Sequence, residues 1–432
     1  MMNRFILLSA CAFLCAAAFG CQKADVSSGG PTTALSQIPA DRLNFRYEAD
    51  VPEPTETAKS TGAETNAAIQ ADFDARRSGE NLDKVIASPD GKRIVAVYHQ
   101  QADLPSEFRL DMYSADGKLL KKMTSDLMAV HFPDTIRWSP DSTSIAFVAM
   151  VRSVQTNPEA QPTPANPQPA TDAANVNTAT EAEANSNVDA NANAQVAAEP
   201  TPVAPAGIMV FKTEQIYLAN ADGDAVKPIT QNDGLIYFFY KWAPDSSALV
   251  ALAATQREWQ YLQFNAESKG EIYVPVGRLR LVEKTGRERR LDDALTAVQP
   301  VWSPDSSKVA CGYDKQVRIY DAVGNGPTQA AIPLQNQLLL SAQAFDRAQA
   351  DKLNAEANQP TATPRSNVQS SMLPDPNTLV SFNPIVALAW NEDNILYFQT
   401  AFIKRMKREI DSVTSFPRWH RLIFSPQAVQ AR

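Results

Sequence analysis

The chain has 432 residues, of which 44% are hydrophobic and 20% are charged, and its formal net charge is −8. This hydrophobic content is sufficient for a packed core, and the length suits two or three ordinary domains or one long repeat domain. The acidic balance excludes the basic surface that general nucleic-acid binding requires, so we expect no nucleic-acid partner.

The N-terminal residues have the pattern of an export signal. Arg4 precedes an apolar run, Phe5–Ala18, that is too short to be a typical membrane-spanning helix, and small residues lead to Cys21. The pattern resembles a bacterial lipoprotein signal, which implies that residues 1–20 are removed and that Cys21 carries the lipid. Cys11 also fits the lipobox consensus, but it would leave an apolar run of only about six residues, which favours Cys21. An ordinary secretory signal with an incidental cysteine is the alternative.

A lipid at Cys21 would hold the protein at a bacterial membrane, because each buried methylene contributes about 0.8 kcal/mol. Gln22, rather than Asp, follows the cysteine and favours the outer membrane by the enterobacterial sorting rule. We therefore expect the protein at the periplasmic face of that membrane. Residues 21–40 are rich in Ser, Gly, Thr and Pro and are predicted to form a flexible tether.

Residues 41–81 are predicted to hold a strand and a linker. The alternation of apolar and polar residues in Leu43–Val51 is typical of a half-buried strand. A polar linker follows, with a short helix around Ala67–Ala75. Because the strand precedes a series of repeats, we expect it to pair with the last repeat and to close the domain.

One short motif recurs between residues 82 and 426. An apolar run ending in Trp is followed by a Pro-Asp turn and a second apolar run, which predicts a strand, a tight turn and another strand. Proline presets the turn backbone, and the Asp accepts hydrogen bonds from exposed turn N–H groups. The Trp provides an apolar anchor on which one sheet stacks on the next. We therefore interpret the aspartates as turn caps rather than as ligands or catalysts. The motif residues are Pro89 and Asp90; Trp138, Pro140 and Asp141; Trp242, Pro244 and Asp245; Trp302, Pro304 and Asp305; and Trp390 in a degenerate fifth copy.

A second hairpin follows each of the first three motifs. Alternating runs flank Asp116-Gly117, Asp222-Gly223 and Thr285-Gly286, which predicts two further strands. Four strands per repeat correspond to one blade of a β-propeller. The Trp-Ser-Pro-Asp-Ser motif at Trp138, with Ile216-Tyr217-Leu218 and Asp222-Gly223 later in the same repeat, resembles the WD40-like repeat of TolB-type proteins. The resemblance implies the propeller fold and leaves the activity open, because binding proteins and the propeller halves of some peptidases share this repeat.

We therefore predict an all-β fold, a β-propeller of about five to six four-stranded blades at residues 82–426. Residues 154–206 contain no aromatic, Lys or Arg residue, a composition that cannot bury enough surface to fold, so we expect a disordered insertion. Within 335–377, the apolar residues of Leu338–Leu353 have helical spacing, which predicts an inserted helix followed by a loop. The alternative is that this interval contains a sixth blade.

Few residues suit catalysis or metal binding. His99, His131 and His420 are scattered, without metal-ligand spacing, and the sequence contains no Gly-x-Ser-x-Gly motif. Cys311 lies in an apolar strand, which indicates an inert buried thiol. Asn220–Asp224 has the oxygen spacing of some calcium loops but also suits a hairpin turn. We expect no catalytic residue, no metal and no cofactor.

These observations favour a lipid-anchored, non-enzymatic, TolB-like binding or scaffold protein of the cell envelope, with the partner held by loops at one end of the ring. The expected partner is another envelope protein, with a cell-wall polymer as the second choice. An assembly factor resembling the barrel-insertion lipoproteins would differ only in its partner. The basic run Lys404–Arg408 suits a solvated rim, with contact to anionic lipid or envelope polymer as the alternative.

The competing hypothesis is a glycan- or peptide-directed hydrolase or lyase with its active site over the propeller channel. Such chemistry needs acids and bases that face the same substrate. Several carboxylates and a histidine facing one another in the channel would therefore favour the enzyme.

Overall fold

The computed structural model describes residues 34–55, 65–151, 213–324, 328–356 and 373–425. The signal residues 1–20, Cys21, most of the predicted tether and the insertion 154–206 lie outside these ranges.

The described chain forms five β-sheets and three α-helices. Strand β1 (Asn44–Val51) and helix α1 (Ala67–Arg76) come first. Sheet one contains β2 (Glu80–Ala87), β3 (Arg93–Gln100), β4 (Arg109–Ser114) and β5 (Leu119–Lys122). Sheet two contains β6 (Met128–His131), β7 (Arg137–Trp138), β8 (Ser144–Val151), β9 (Gln215–Asn220) and β10 (Lys227–Pro228). Sheet three contains β11 (Leu235–Trp242), β12 (Ala248–Thr255), β13 (Gly277–Glu283) and β14 (Glu288–Thr296). Helix α2 (Gln256–Ser268) lies in the connection between β12 and β13. Sheet four contains β15 (Val301–Trp302), β16 (Lys308–Tyr313), β17 (Gln316–Asp321) and β18 (Gln329–Pro333). Helix α3 (Gln335–Glu356) precedes β19 (Ile385–Glu392), β20 (Ile395–Lys404) and β21 (Val413–Ser425) of sheet five.

Strands that are consecutive in the chain are neighbours in each sheet and run antiparallel. The first strand of sheet two is broken, since β6 and β7 both pair with β8. Sheet five is completed by β1, in which Asn44 pairs with Ser425 and Val51 with Trp419. Successive four-stranded antiparallel sheets packed against one another are the architecture of a β-propeller. The predicted fold class is therefore confirmed, with five blades in the described part of the chain.

The tryptophans of the repeated motif connect neighbouring sheets. Trp138 is buried between sheets one and two, and its Nε1 donates a hydrogen bond to the carbonyl of Ile86 at 3.2 Å. Trp242 and Trp302 make the same contact with the carbonyls of Arg137 and Lys241, at 3.2 and 3.0 Å. In the degenerate fifth copy, Trp390 instead bonds within its own sheet, to Asp393 at 3.4 Å.

The Pro-Asp turns form a second set of contacts between sheets. The backbone N–H of Asp90 donates to the hydroxyl of Ser142 in the next turn at 3.0 Å. Ser142 can present its hydroxyl because its backbone takes a left-handed conformation, with φ of 60°, which is rare outside glycine. The contact recurs from Asp141 to Ser246 and from Asp245 to Ser306, also at 3.0 Å. All four turns therefore lie at the same end of the ring.

Apolar side chains fill each space between consecutive sheets. Fully burying a Val, Leu, Ile or Phe side chain contributes about 1.5–3 kcal/mol, so these layers provide most of the stabilisation. Members of the four layers, in order around the ring, are Val97 and Phe147; Ile216 and Leu249; Val250 and Val309; and Ile319 and Phe398.

Sheet one has a different neighbour on its other face. Helix α1 covers that face, and its Ile69 and Phe73 are buried among sheet-one residues that include Ala96 and Tyr98. Among the described residues, no cluster of buried hydrophobic side chains joins sheet five to sheet one. The helix thus occupies the position that a neighbouring sheet takes elsewhere in the ring.

The inserted helix predicted within 335–377 is present as α3. Its Leu338 and Ala342 are buried against sheets four and five, and the Ser381 hydroxyl donates to the carbonyl of Ala342 at 3.3 Å. The part of the interval that the structure describes contains no strand of a sixth blade. Residues 357–372 lie outside the described ranges.

Candidate functional site

The antiparallel order of the strands gives the ring two unlike ends. The Pro-Asp and Asp-Gly turns form one end, which we call the turn end. The longer connections, including α2, residues 269–276 and the β20–β21 connection at residues 404–413, lie at the opposite end, which we call the insert end. Each end is described below from its residues upward.

At the turn end, the predicted motif aspartates bond within their own turns. Asp141 Oδ1 accepts hydrogen bonds from the Ser139 hydroxyl at 2.5 Å and from the Thr143 N–H at 3.1 Å. Partial burial opposes ionisation, but these bonds and the charge of Lys284 hold the pKa of Asp141 at about 2. Asp90, Asp245 and Asp305 cap their turns in the same way. These carboxylates are engaged in the structure of the turns.

The Asn220–Asp224 turn is also internally bonded. Asn220 Oδ1 accepts from the N–H groups of Asp222 and Asp224, at 3.1 and 2.8 Å. Asp222 pairs with Arg93 at 2.7 Å and Asp224 with Lys121 at 2.8 Å. The two carboxylates thus connect sheet two with sheet one. Among the described residues, no group of three or more His, Cys, Asp or Glu side chains is arranged to hold a metal ion.

The three histidines lie in three different sheets. His99 contacts Asp83 at 2.8 Å in sheet one, and His131 of sheet two contacts Glu214 at 3.1 Å. His420 of sheet five is fully buried. The sulfur of Cys311 is likewise buried, and desolvation raises the pKa of its thiol to about 12. The structure does not bring these side chains together.

A cavity of about 440 Å³ lies between sheets two and three, and Ala297 and Gln299 of the β14–β15 connection complete its lining. One lining residue carries a carboxylate, Asp134, and that carboxylate pairs with Lys84 of sheet one at 2.9 Å. The other walls include Arg137 and several aromatic side chains, among them Phe238 and Tyr240, and Val274 lies at the insert end of the cavity. The cavity thus has four aromatic residues and a single paired acid among its twelve described lining residues.

Helix α2 is fixed beside this cavity. Thr255 and Glu258 form a capping box at its start, and Glu258 binds Arg278 with two contacts of 2.7 Å. The hydrogen bond from Arg278 lowers the pKa of Glu258 to about 2. Trp259 then packs edge-on against Tyr273 at 5.0 Å between ring centres and lies close to Phe238 of the cavity lining. This helix was not predicted, although Thr255-x-x-Glu258 is the sequence signal for such a start.

Two connections meet at the insert end. The N–H of Ile272, which follows α2, donates to the carbonyl of Arg405 at 3.0 Å, and the N–H of Lys407 donates to Gly270 at 3.0 Å. Lys404 also approaches Glu271 at 3.6 Å. The contact joins sheets three and five, and it places the predicted basic run beside α2. A groove of about 480 Å³ lies between them.

Comparison with known proteins gives structural neighbours only. No family model matches the chain, and no curated protein matches it. An oligogalacturonate lyase from Vibrio parahaemolyticus is 10% identical, with a TM-score of 0.34 over 80% of this chain and 67% of that one. Prolyl oligopeptidase B from Galerina marginata is 10% identical, with a TM-score of 0.37 over 79% and 36% of the two chains. A TolB-type protein from Agrobacterium tumefaciens is 14% identical, with a TM-score of 0.24 over 58% and 66%.

These neighbours include enzymes as well as TolB, and at such identities and TM-scores they do not determine a function. The chain spans about two thirds of the length of the lyase and of the TolB-type protein, and about a third of the peptidase. Within the described ranges, no helix combines the length and the apolar composition that a membrane crossing requires.

Proposed function

We propose that the protein is a lipid-anchored, non-enzymatic, TolB-like binding or scaffold protein of the cell envelope, and that its partner is another envelope protein. The observation that carries the proposal is the meeting of two long connections, from sheets three and five, at the insert end. A rigid ring positions such connections accurately, which suits them for recognition. A cell-wall polymer is the second choice of partner.

The proposed anchor is Cys21, and Gln22 favours the outer membrane. The described chain enters at the turn end, where the N–H of Ala40 donates to Asp321 Oδ2 at 3.1 Å. Cys21 lies thirteen positions before Ala34, a stretch that reaches at most about 45 Å when fully extended. A lipid at Cys21 would therefore keep the turn end near the membrane and leave the insert end facing the periplasm.

The arrangement of titratable groups supports binding rather than hydrolysis or elimination. General acid–base catalysis requires a donor and an acceptor within reach of the same substrate. In the described lining of the cavity, the carboxylate of Asp134 is paired with Lys84, and the buried His420 belongs to another sheet. The aromatic walls of the cavity offer contact area instead of a proton-transfer pair.

The anchor is tested by fractionating envelopes that contain the wild-type chain or Cys21→Ala. We expect the wild type in the outer membrane with a lipid-sized mass increase at Cys21, and the variant in the soluble periplasm. An unmodified Cys21 in the wild type would contradict the anchor.

The binding role is tested by affinity purification of the wild type from detergent-solubilised envelope. We expect an envelope protein to co-purify in stoichiometric amount. Failure to retain any partner would contradict the proposal, and release of products from envelope glycan or peptides by the purified chain would favour the hydrolase or lyase.

A further inference from the structure

The groove between α2 and the β20–β21 connection has an apolar floor. Its lining includes Leu262 from α2, Ile272 and Val274 from the segment after α2, and Phe402 and Ile403 from β20. Ile272 and Val274 are about half exposed, and Phe402 is 45% exposed. Contiguous exposed apolar surface on a soluble protein commonly marks a binding site.

The outer side of α2 carries further exposed apolar side chains. Tyr261 and Phe264, three residues apart on the helix, share one face, and each is about two thirds exposed. The helix has no buried side chain, so these aromatic residues contribute little to the core of the ring. Neither residue lines the groove, so together they form a separate exposed apolar face on the same helix.

The edge of the groove is positively charged, although the chain as a whole carries −8. Lys269, Lys404 and Arg405 line it, against one acid, Glu271. Glu271 approaches Lys404 at 3.6 Å, whereas Lys269 and Arg405 form no ion pair with a described residue. A local excess of cations on an acidic protein selects carboxylates on a binding partner.

Hydrogen bonds and an ion pair within the chain hold the walls of the groove in place. Backbone hydrogen bonds from Ile272 to Arg405 and from Lys407 to Gly270 tie one wall to the other. The pairing of Glu258 with Arg278 fixes the start of α2 to sheet three. A preformed groove lowers the ordering cost of binding.

We propose that this groove docks a short amphipathic segment of a protein partner, with apolar side chains on the floor and carboxylates along the cationic edge. The proposal rests on the binding function proposed above and specifies the chemistry of the partner. The apolar residues line a concave groove rather than a protruding face, which suits an inserted segment better than a flat bilayer. The volume of about 480 Å³ is within the range of specific binding pockets.

The test uses the full-length chain in detergent as bait and selects the peptides that bind it from a random library of short displayed peptides. Counter-selection uses the double variant Lys404→Glu and Arg405→Glu. We expect the retained peptides to combine acidic and large apolar residues. Their affinity should fall roughly tenfold or more on the double variant and should decrease with added salt.

The matched control is the double variant Lys92→Glu and Lys118→Glu, which makes the same charge change in two exposed turns of the turn end. It should leave the affinity unchanged. Phe402→Ser should weaken binding while Leu120→Ser, a similarly exposed residue in sheet one, should not. Unchanged melting temperatures show that each variant is folded.

Four results would overturn the proposal. The first is selected peptides that lack acids or that ignore the groove variants, and the second is the absence of any retained peptide. The third is binding of wild type, but not of the double variant, to vesicles containing anionic phospholipid, which would assign the surface to a membrane. Peptide binding that appears only after deletion of residues 154–206 would likewise assign the groove to this acidic segment of the chain itself.

The envelope purification separates this inference from the general function. If an envelope protein co-purifies equally with the wild type and with Lys404→Glu/Arg405→Glu, the binding function stands and the groove proposal fails. If no partner co-purifies with either chain, the binding function itself fails.

Discussion

His420 is a neutral histidine in the interior of sheet five. Its Nδ1 lies 3.0 Å from the hydroxyl of Tyr47, and its Nε2 lies 3.1 Å from the hydroxyl of Thr400. Burial and the charge of Arg418 lower the pKa of His420 to about 4, although the charge of Asp50 acts to raise it. The two hydroxyl contacts satisfy the ring in its uncharged form.

This histidine should make the stability of the ring depend on pH in a defined window. The unfolded chain takes up a proton near pH 6.5, whereas the folded chain does so only near pH 4. The free energy of unfolding therefore decreases as the pH falls through this window, by about 1.4 kcal/mol per unit. Denaturant titrations at pH 7 and pH 5 should show a loss of about 2 kcal/mol in the wild type.

His420→Gln is the control for this window, because an amide offers polar contacts to both hydroxyls but does not titrate. It should lose much less stability between pH 7 and pH 5 than the wild type does. Asp141 and Glu258, whose pKa values are about 2, lose their contributions only at lower pH. Equal losses in both chains would refute the role of His420.

Asp141 shows which bonds at this scale can be predicted from sequence. Its bonds to Ser139 and Thr143 follow from the spacing Ser-Pro-Asp-Ser-Thr, since each joins residues two positions apart. Its N–H bond to Ser246 joins residues 105 positions apart. That bond depends on where the second turn lies in space, which local spacing does not encode.

At the scale of elements, α1 is the part of the fold that departs most from the repeat. Ile69 and Phe73 anchor it to sheet one, and Arg77 at its end lies over the ring of Phe73, 4.3 Å from the ring centre. Arg77 also forms an ion pair with Asp111, whose carboxylate is fully buried and has a pKa raised by that burial. The helix therefore supplies a cation as well as apolar cover.

We expect Phe73→Ala to destabilise the protein by about 3–5 kcal/mol, because it removes a buried aromatic side chain and opens the contact with Tyr98. The measurement is the free energy of unfolding from denaturant titration. Asp74→Ala, at the next and exposed position of the same helix, should change it by less than about 0.5 kcal/mol. Similar effects of both substitutions would show that α1 is not docked.

The helices differ in how far they could be predicted. The apolar spacing in Leu338–Leu353 indicates a helix, and α3 is present at Gln335–Glu356. A helix around Ala67–Ala75 also agrees with α1 at Ala67–Arg76. The local pattern does not predict where α1 docks, because nothing in the sequence near Phe73 indicates that it packs where a sheet would otherwise lie.

For the whole molecule, the recurrence of the Pro-Asp motif together with the Asp-Gly-type hairpins predicts sheets arranged as blades. One blade of about forty residues cannot bury enough surface to be stable alone, so the repeats must stack on one another. The pairing of β1 with β21 brings a segment near the N-terminus into the last sheet. Ion pairs of Asp50 with Arg418 and of Glu48 with Arg421 extend along the same pair of strands.

Deleting residues 34–51 should therefore destabilise the whole ring cooperatively. Sheet five would lose its outer strand, β1, and the contact between Tyr47 of β1 and Ser341 of α3. We expect a clearly lower melting temperature with a single transition, measured by circular dichroism. Deletion of 154–206 is the control, and it should have little effect because shortening a long connection changes the loop-closure entropy only slightly. A chain without 34–51 that melts at the parent temperature would contradict the closure by β1.

The buried contacts of Leu35 and Ala40 have a mechanical consequence. Both side chains lie in the layer between sheets four and five, and Ala40 is also bonded to Asp321. Tension applied to the N-terminal residues would thus first load these small anchors, and only after their release would it begin to unzip β1 from Ser425 onwards. A pull on the N-terminal residues would in this way break the contacts of Leu35, Ala40 and β1 in steps before the other strands of sheet five, which carry part of the groove, came apart.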